Sequence, residues 1–176
     1  CDIIAHRAMA RFAAQKYAWH APQNRALRNY TRVQSRQSRV TVARYEEIER
    51  LYARYHRSEL SFEDLLKARA VVYAKFERSL KLPAGEVNNN SLANYMTYSR
   101  HYAYLESVTD RIGPDLARVV AFFRTIDSRK PTPEQVMLRL SLRSRENVDY
   151  VRGYERAIID TIAHSFGTRV AAAPER

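Results

Sequence analysis

Val42-Ala43-Arg44-Tyr45-Glu46-Glu47-Ile48-Glu49-Arg50-Leu51-Tyr52-Ala53-Arg54-Tyr55 is the stretch on which the fold turns. Val42, Tyr45, Ile48, Leu51, Tyr52 and Tyr55 recur at three- and four-residue intervals, with charged residues between them. That is the spacing of a helix burying one face, and it never alternates as a half-buried strand does.

The same period continues downstream. Ser61 has the position of an N-cap with Asp64 three residues on, and Phe62, Leu65, Leu66, Val72, Tyr73, Phe76 and Leu80 form the next apolar stripe. Pro83-Ala84-Gly85 stops it. Asn90 or Ser91 opens a helix holding Leu92, Tyr95, Met96, Tyr102, Leu105, Val108 and Ile112, which Gly113-Pro114 ends. Leu116, Val119, Val120, Phe123 and Ile126 follow. Thr132-Pro133-Glu134-Gln135 combines an N-cap threonine, a proline at the first helical position and a glutamine at the third. The last helix is expected from Ser144, with Val148, Val151, Tyr154, Ile158, Ile162 and Phe166 inward and Gly167 as its C-cap. The expectation is an all-α fold, a bundle of about five helices over residues 42–167, with a loose tail over 168–176. Leu65, Phe76, Leu105, Val120, Phe123, Val151, Ile158 and Ile162 are its expected core. Four glycines and six prolines supply too few turns for a sandwich or barrel.

Upstream the pattern changes. Residues 3–19 read as an amphipathic basic helix, ended by His20-Ala21-Pro22. Residues 23–41 are polar, arginine-rich and weakly periodic, and they read as an extended or partly helical arm. Net charge is +11, and residues 1–45 contribute nine basic side chains opposed only by Asp2. After Tyr17 and Trp19 the large apolar groups before position 42 are Leu27, Tyr30, Val33 and Val40, too few to offset ordering entropy alone. Residues 1–41 are therefore expected to order only against a partner. Arg25, Arg28, Arg32, Arg36 and Arg39 would make charge-assisted contacts, with Trp19 and Tyr17 beside them. A second contact face is expected at Tyr98, Arg100 and Tyr104, since tyrosine and arginine are enriched at interfaces.

No catalytic motif accompanies this charge. Phosphate-binding glycine motifs are missing, and the five histidines stand outside any metal-ligand spacing. Ser99-Arg100-His101 diverge on a helix, and the acids of Glu46-Glu47-Glu49 and Glu63-Asp64 serve helix N-termini better than acid–base chemistry. Leu51-Tyr52-Ala53-Arg54 departs in spacing from the Leu-Tyr-Arg motif of small mitochondrial helical adaptors and assigns no family. With no catalytic residues, cofactor or metal expected, the leading reading is a non-catalytic accessory subunit of a large assembly. Its arginine-rich, acid-poor N-terminus suggests a mitochondrial membrane complex, respiratory chain or ATP synthase, in which the chain has no transmembrane span of its own. Other subunits would be its partners, with an anionic lipid surface or rRNA as alternatives for the arm. A structural protein of a mitochondrial ribosome is the second reading. A bacterial lipoprotein anchored through Cys1 is the third.

Overall fold

A computed structural model describes residues 2–166. Cys1, the expected C-cap Gly167 and the expected tail 168–176 lie outside the described residues. All regular structure among the described residues is helical: α1 Asp2–Lys16, α2 Pro22–His56, α3 Phe62–Leu80, α4 Asn89–Ser99, α5 Tyr102–Ile112, α6 Leu116–Arg129, α7 Pro133–Arg139 and α8 Val148–Ser165. The chain forms two compact units, residues 1–114 and 115–176. The division expected at 41/42 falls inside α2, which runs unbroken across it.

Unit 1 is organised by α2, 35 residues long, which packs against α1, α3, α4 and α5. Ile48 of α2 joins Val72 and Phe76 of α3, Val87 of the following loop and Leu92 of α4 in the core. Glu77 is buried here, and its Oε1 accepts the Val87 N–H at 3.0 Å, pinning the α3–α4 loop to α3. Beside this core, a polar clamp ties three helices. Arg69 Nη1 and Asn89 Nδ2 each donate to the Tyr52 hydroxyl at 2.8 Å, and the Tyr73 hydroxyl donates to Asn89 Oδ1. Burial alone would raise the Tyr52 phenol. The hydrogen bonds from Asn89 and Arg69, with the guanidinium charge, outweigh it and hold the phenol below its ordinary value of 10.0. Burial pushes Tyr73 above that value.

Residues 23–41, expected as an extended or partly helical arm, are helical throughout. They continue without a break into 42–56, and their inward face is built from Asn24, Ser35, Ser38 and Thr41, all buried. Small polar side chains let neighbouring helices approach closely while satisfying themselves locally. Thr31 Oγ1 donates to the Leu27 carbonyl and Thr41 Oγ1 to that of Gln37. The expectation that 1–41 orders only on a partner fails for the same reason. Ile3, His6 and Ala13 of α1 are buried, Arg7 pairs with Asp110, and Arg7 Nη1 donates to the Gly113 carbonyl at 3.2 Å.

The expected helix over 90–112 is two, α4 and α5, separated at Arg100-His101. Asn88, rather than Asn90 or Ser91, caps α4, accepting the Ser91 N–H while Ser91 Oγ takes the Asn88 N–H. Asn147, rather than Ser144, caps α8. Ser61 and Thr132 cap α3 and α7 as expected, with Gln135 completing the box at Thr132. Lys81, in the left-handed region at φ 59°, ends α3 two residues before Pro83.

Unit 2 holds α6, α7 and α8, with α8 packed on both others. Val119, Ile126, Val136, Ala157, Ile162 and Ala163 are buried, and the Phe122 and Phe166 rings meet at 4.8 Å. Of the expected core, Leu65, Phe76 and Ile162 are buried, while Leu105, Val120, Phe123 and Ile158 are half-buried. Val151 is 48% exposed. Within the expected α6 stripe, Val119 and Ile126 are the fully buried members, whereas Val120 and Phe123, placed in the expected core, lie at its flanks.

Candidate anion-docking surface

Because residues 22–41 are helical, the five arginines acquire a geometry that a flexible arm would not have. Intervals of three, four, four and three residues hold Arg25, Arg28, Arg32, Arg36 and Arg39 within an arc of about 80° on a helix turning about 100° per residue, spread along about 21 Å of its axis. All five side chains are exposed. The side of α2 away from the stripe carries buried Ser38 and Thr41, so inward packing fixes which way the arginines point.

The two halves of α2 treat their arginines differently. In the C-terminal half, Arg44 Nη1 pairs with Glu47 at 2.5 Å and Arg50 lies 3.9 Å from Glu46, while Arg54 and the C-cap Arg57 meet Glu59, just beyond the helix, at 3.6 and 2.6 Å. Arg57 holds the Glu59 carboxyl below its ordinary range by hydrogen bonding. In the N-terminal half, among the described residues, Arg25, Arg32 and Arg36 make no ion pair. Arg39 reaches Glu106 of α5 at 3.4 Å, an acid that also accepts from Ser35 Oγ at 2.8 Å.

Trp19 and Arg28 form the head of the stripe. The Arg28 guanidinium lies 3.9 Å from the indole centroid and its Nη1 donates to the Trp19 carbonyl at 3.3 Å. Trp19 is 72% exposed. The turn that presents it is locked by buried Asn24, whose Nδ2 donates to the carbonyls of Tyr17 and Ala18 at 2.9 and 2.8 Å. Tyr17 is half-buried at this turn. No acidic residue stands in the first turn of α2, so the positive end of the helix dipole adds to Arg25 and Arg28.

The second expected face does not assemble in the same way. Tyr98 is 66% exposed, but the Arg100 guanidinium lies over the Tyr45 ring at 5.6 Å and Tyr104 is half-buried. Asn24, Ser35 and Glu106, which position the stripe, are not among the expected site residues. For Asn24 and Ser35 the signal is a helical repeat of small polar residues, Asn24, Thr31, Ser35, Ser38 and Thr41, which apolar periodicity does not register.

Comparison with protein-family models, with curated proteins and with solved structures found no match. Among the described residues no helix is long and apolar enough to cross a membrane, and no group of three or more metal-ligating side chains gathers.

Proposed function

We propose that this protein is a non-catalytic subunit of a larger assembly, docked through the arginine stripe of α2 on an anionic surface of its partner. The observation that carries the reading is the contrast within one helix. The C-terminal half has its arginines paired with Glu46, Glu47 and, just beyond the helix, Glu59, and the N-terminal half leaves Arg25, Arg32 and Arg36 without an ion-pair partner among the described residues. Four successive like-charged neighbours each cost an isolated helix about 0.2–0.5 kcal/mol. A counter-surface removes that cost and turns the same charges into attraction. Arginine suits this role because its planar fork meets carboxylate and phosphate in pairs of hydrogen bonds.

The setting proposed for this subunit is a mitochondrial membrane complex, respiratory chain or ATP synthase, on the strength of the arginine-rich, acid-poor N-terminal composition. There the counter-surface would be acidic protein or anionic lipid. The test is made on the full chain in its native cells. Reversal of Arg32 and Arg36 to glutamate should shift the protein from a high-mass fraction to a low-mass one on a sedimentation gradient, with the melting temperature of the purified chain unchanged. Normal co-sedimentation of that variant would contradict the proposal.

A further inference from the structure

Among the described residues, cationic groups lie over four aromatic rings. Two of those rings, Tyr45 and Tyr73, are half-buried within unit 1. The other two stand in solvent at one place, the closed end of the hairpin that α1 and α2 form around residues 17–21. The Lys16 ammonium lies 5.4 Å from the centroid of the Phe12 ring, and the Arg28 guanidinium covers Trp19. Phe12 is 56% exposed and Trp19 more so. Both positions are fixed by the fold. Phe12 lies one turn before the end of α1, and Asn24 holds the turn that carries Trp19 through its bonds to the Tyr17 and Ala18 carbonyls.

The electrostatics of this end are one-sided. Lys16, Arg25 and Arg28 make no ion pair among the described residues, and the chain holds no aspartate or glutamate from position 3 to position 45. The acids that answer Arg7 and Arg39 come from α5 and meet the hairpin away from its closed end. A purely ionic counter-surface would answer the cations and leave both rings in water. An anionic bilayer surface suits both parts of each pair. Tryptophan and phenylalanine rings settle where acyl chains meet headgroups, and lysine and arginine reach the phosphates from that level.

We infer that the closed end of the α1–α2 hairpin docks on an anionic lipid surface, with Phe12 and Trp19 in the interfacial layer and Lys16, Arg25 and Arg28 on the phosphates. The inference shares Arg25 and Arg28 with the docking stripe but not Arg32 and Arg36, on which the stripe's own test turns. Those two lie about 15 and 21 Å along α2 from Pro22, beyond the roughly 5–8 Å headgroup layer of one leaflet, and stay available to a protein partner.

Trp19 is the chain's single tryptophan, so the emission of the full chain reports on this end alone. Vesicles of phosphatidylcholine and phosphatidylglycerol in equal parts, at physiological salt, should shift that emission to shorter wavelength, and lipids brominated on the upper acyl chain should quench it. Phosphatidylcholine vesicles should do neither. In co-flotation, Arg25→Glu/Arg28→Glu should lower partitioning about tenfold or more, and Phe12→Ser/Trp19→Ser about as much, whereas Arg32→Glu/Arg36→Glu should lower it less than about threefold. All of these side chains are exposed, so the variants should keep the melting temperature of the parent. Absence of flotation with the mixed vesicles would overturn the inference, as would flotation without a shift in Trp19 emission. Equal losses in the two arginine variants would assign the binding to the whole stripe and overturn the role of the hairpin end. Displacement of the chain from vesicles by polyuridylate at matched phosphate concentration would overturn the choice of lipid over nucleic acid.

Discussion

Phe76 and Val151 illustrate how a periodic apolar pattern becomes energy only after packing. Both sit on stripes that predict burial, yet Phe76 is 0% exposed and meets Tyr95 edge-on at 5.4 Å, while Val151 stands half in solvent. Phe76→Ala should cost unit 1 about 3–5 kcal/mol in chemical denaturation, whereas Val151→Ala should stay within about 0.5 kcal/mol. A costly Val151→Ala would show that α8 buries a different face. The Tyr52 clamp makes a second prediction at this scale. Tyr52 ionises below 10.0 in the folded chain, so its contribution to stability is lost as pH falls through that lowered value and is fully present above 10.0. Tyr73 has the opposite sign. Its contribution is present below 10.0 and is lost as pH rises through its raised value. Ultraviolet titration should find one phenol ionising early and one late, and Tyr52→Phe should remove the early one.

At the scale of elements, α2 decides how much was legible. Its second half announces itself through Tyr45, Ile48, Leu51 and Tyr52, and α3 and α7 through Ser61 and Thr132, because those residues act locally. The first half buries serine, threonine and asparagine, whose outward chemistry is that of a loop. Their helical burial depends on α1 and α5 arriving from elsewhere in the chain, which apolar periodicity does not encode. Removal of residues 1–41 should therefore lower the melting temperature of unit 1 strongly, since it strips Ile3, His6, Ala13, Ser38 and Thr41 from the interior. An unchanged melt would restore the flexible-arm picture. The end of α3 offers a smaller test. Lys81 occupies a left-handed conformation that costs a side-chain-bearing residue about 1–2 kcal/mol. Lys81→Gly should stabilise unit 1 by about 0.5–1 kcal/mol, the relief being partly offset by glycine's greater freedom when unfolded.

At the scale of the molecule, the charge asymmetry was visible in composition, and so were the five arginines. Their alignment was not, because alignment exists only once residues 22–41 are one helix whose polar face is held inward. The division at 114/115 was marked by Gly113-Pro114, a pair that also ends helices inside ordinary domains. The proposed docking depends on position along α2 rather than on net charge. Heparin-affinity chromatography of two double variants tests it. Arg32→Glu/Arg36→Glu and Arg118→Glu/Arg124→Glu both reverse two exposed arginines and lower the net charge from +11 to +7. The first should elute at much lower salt than the parent chain, because the stripe's counter-ion release is lost. The second, altered on α6, should elute close to the parent. Co-elution of the two variants would contradict the claim.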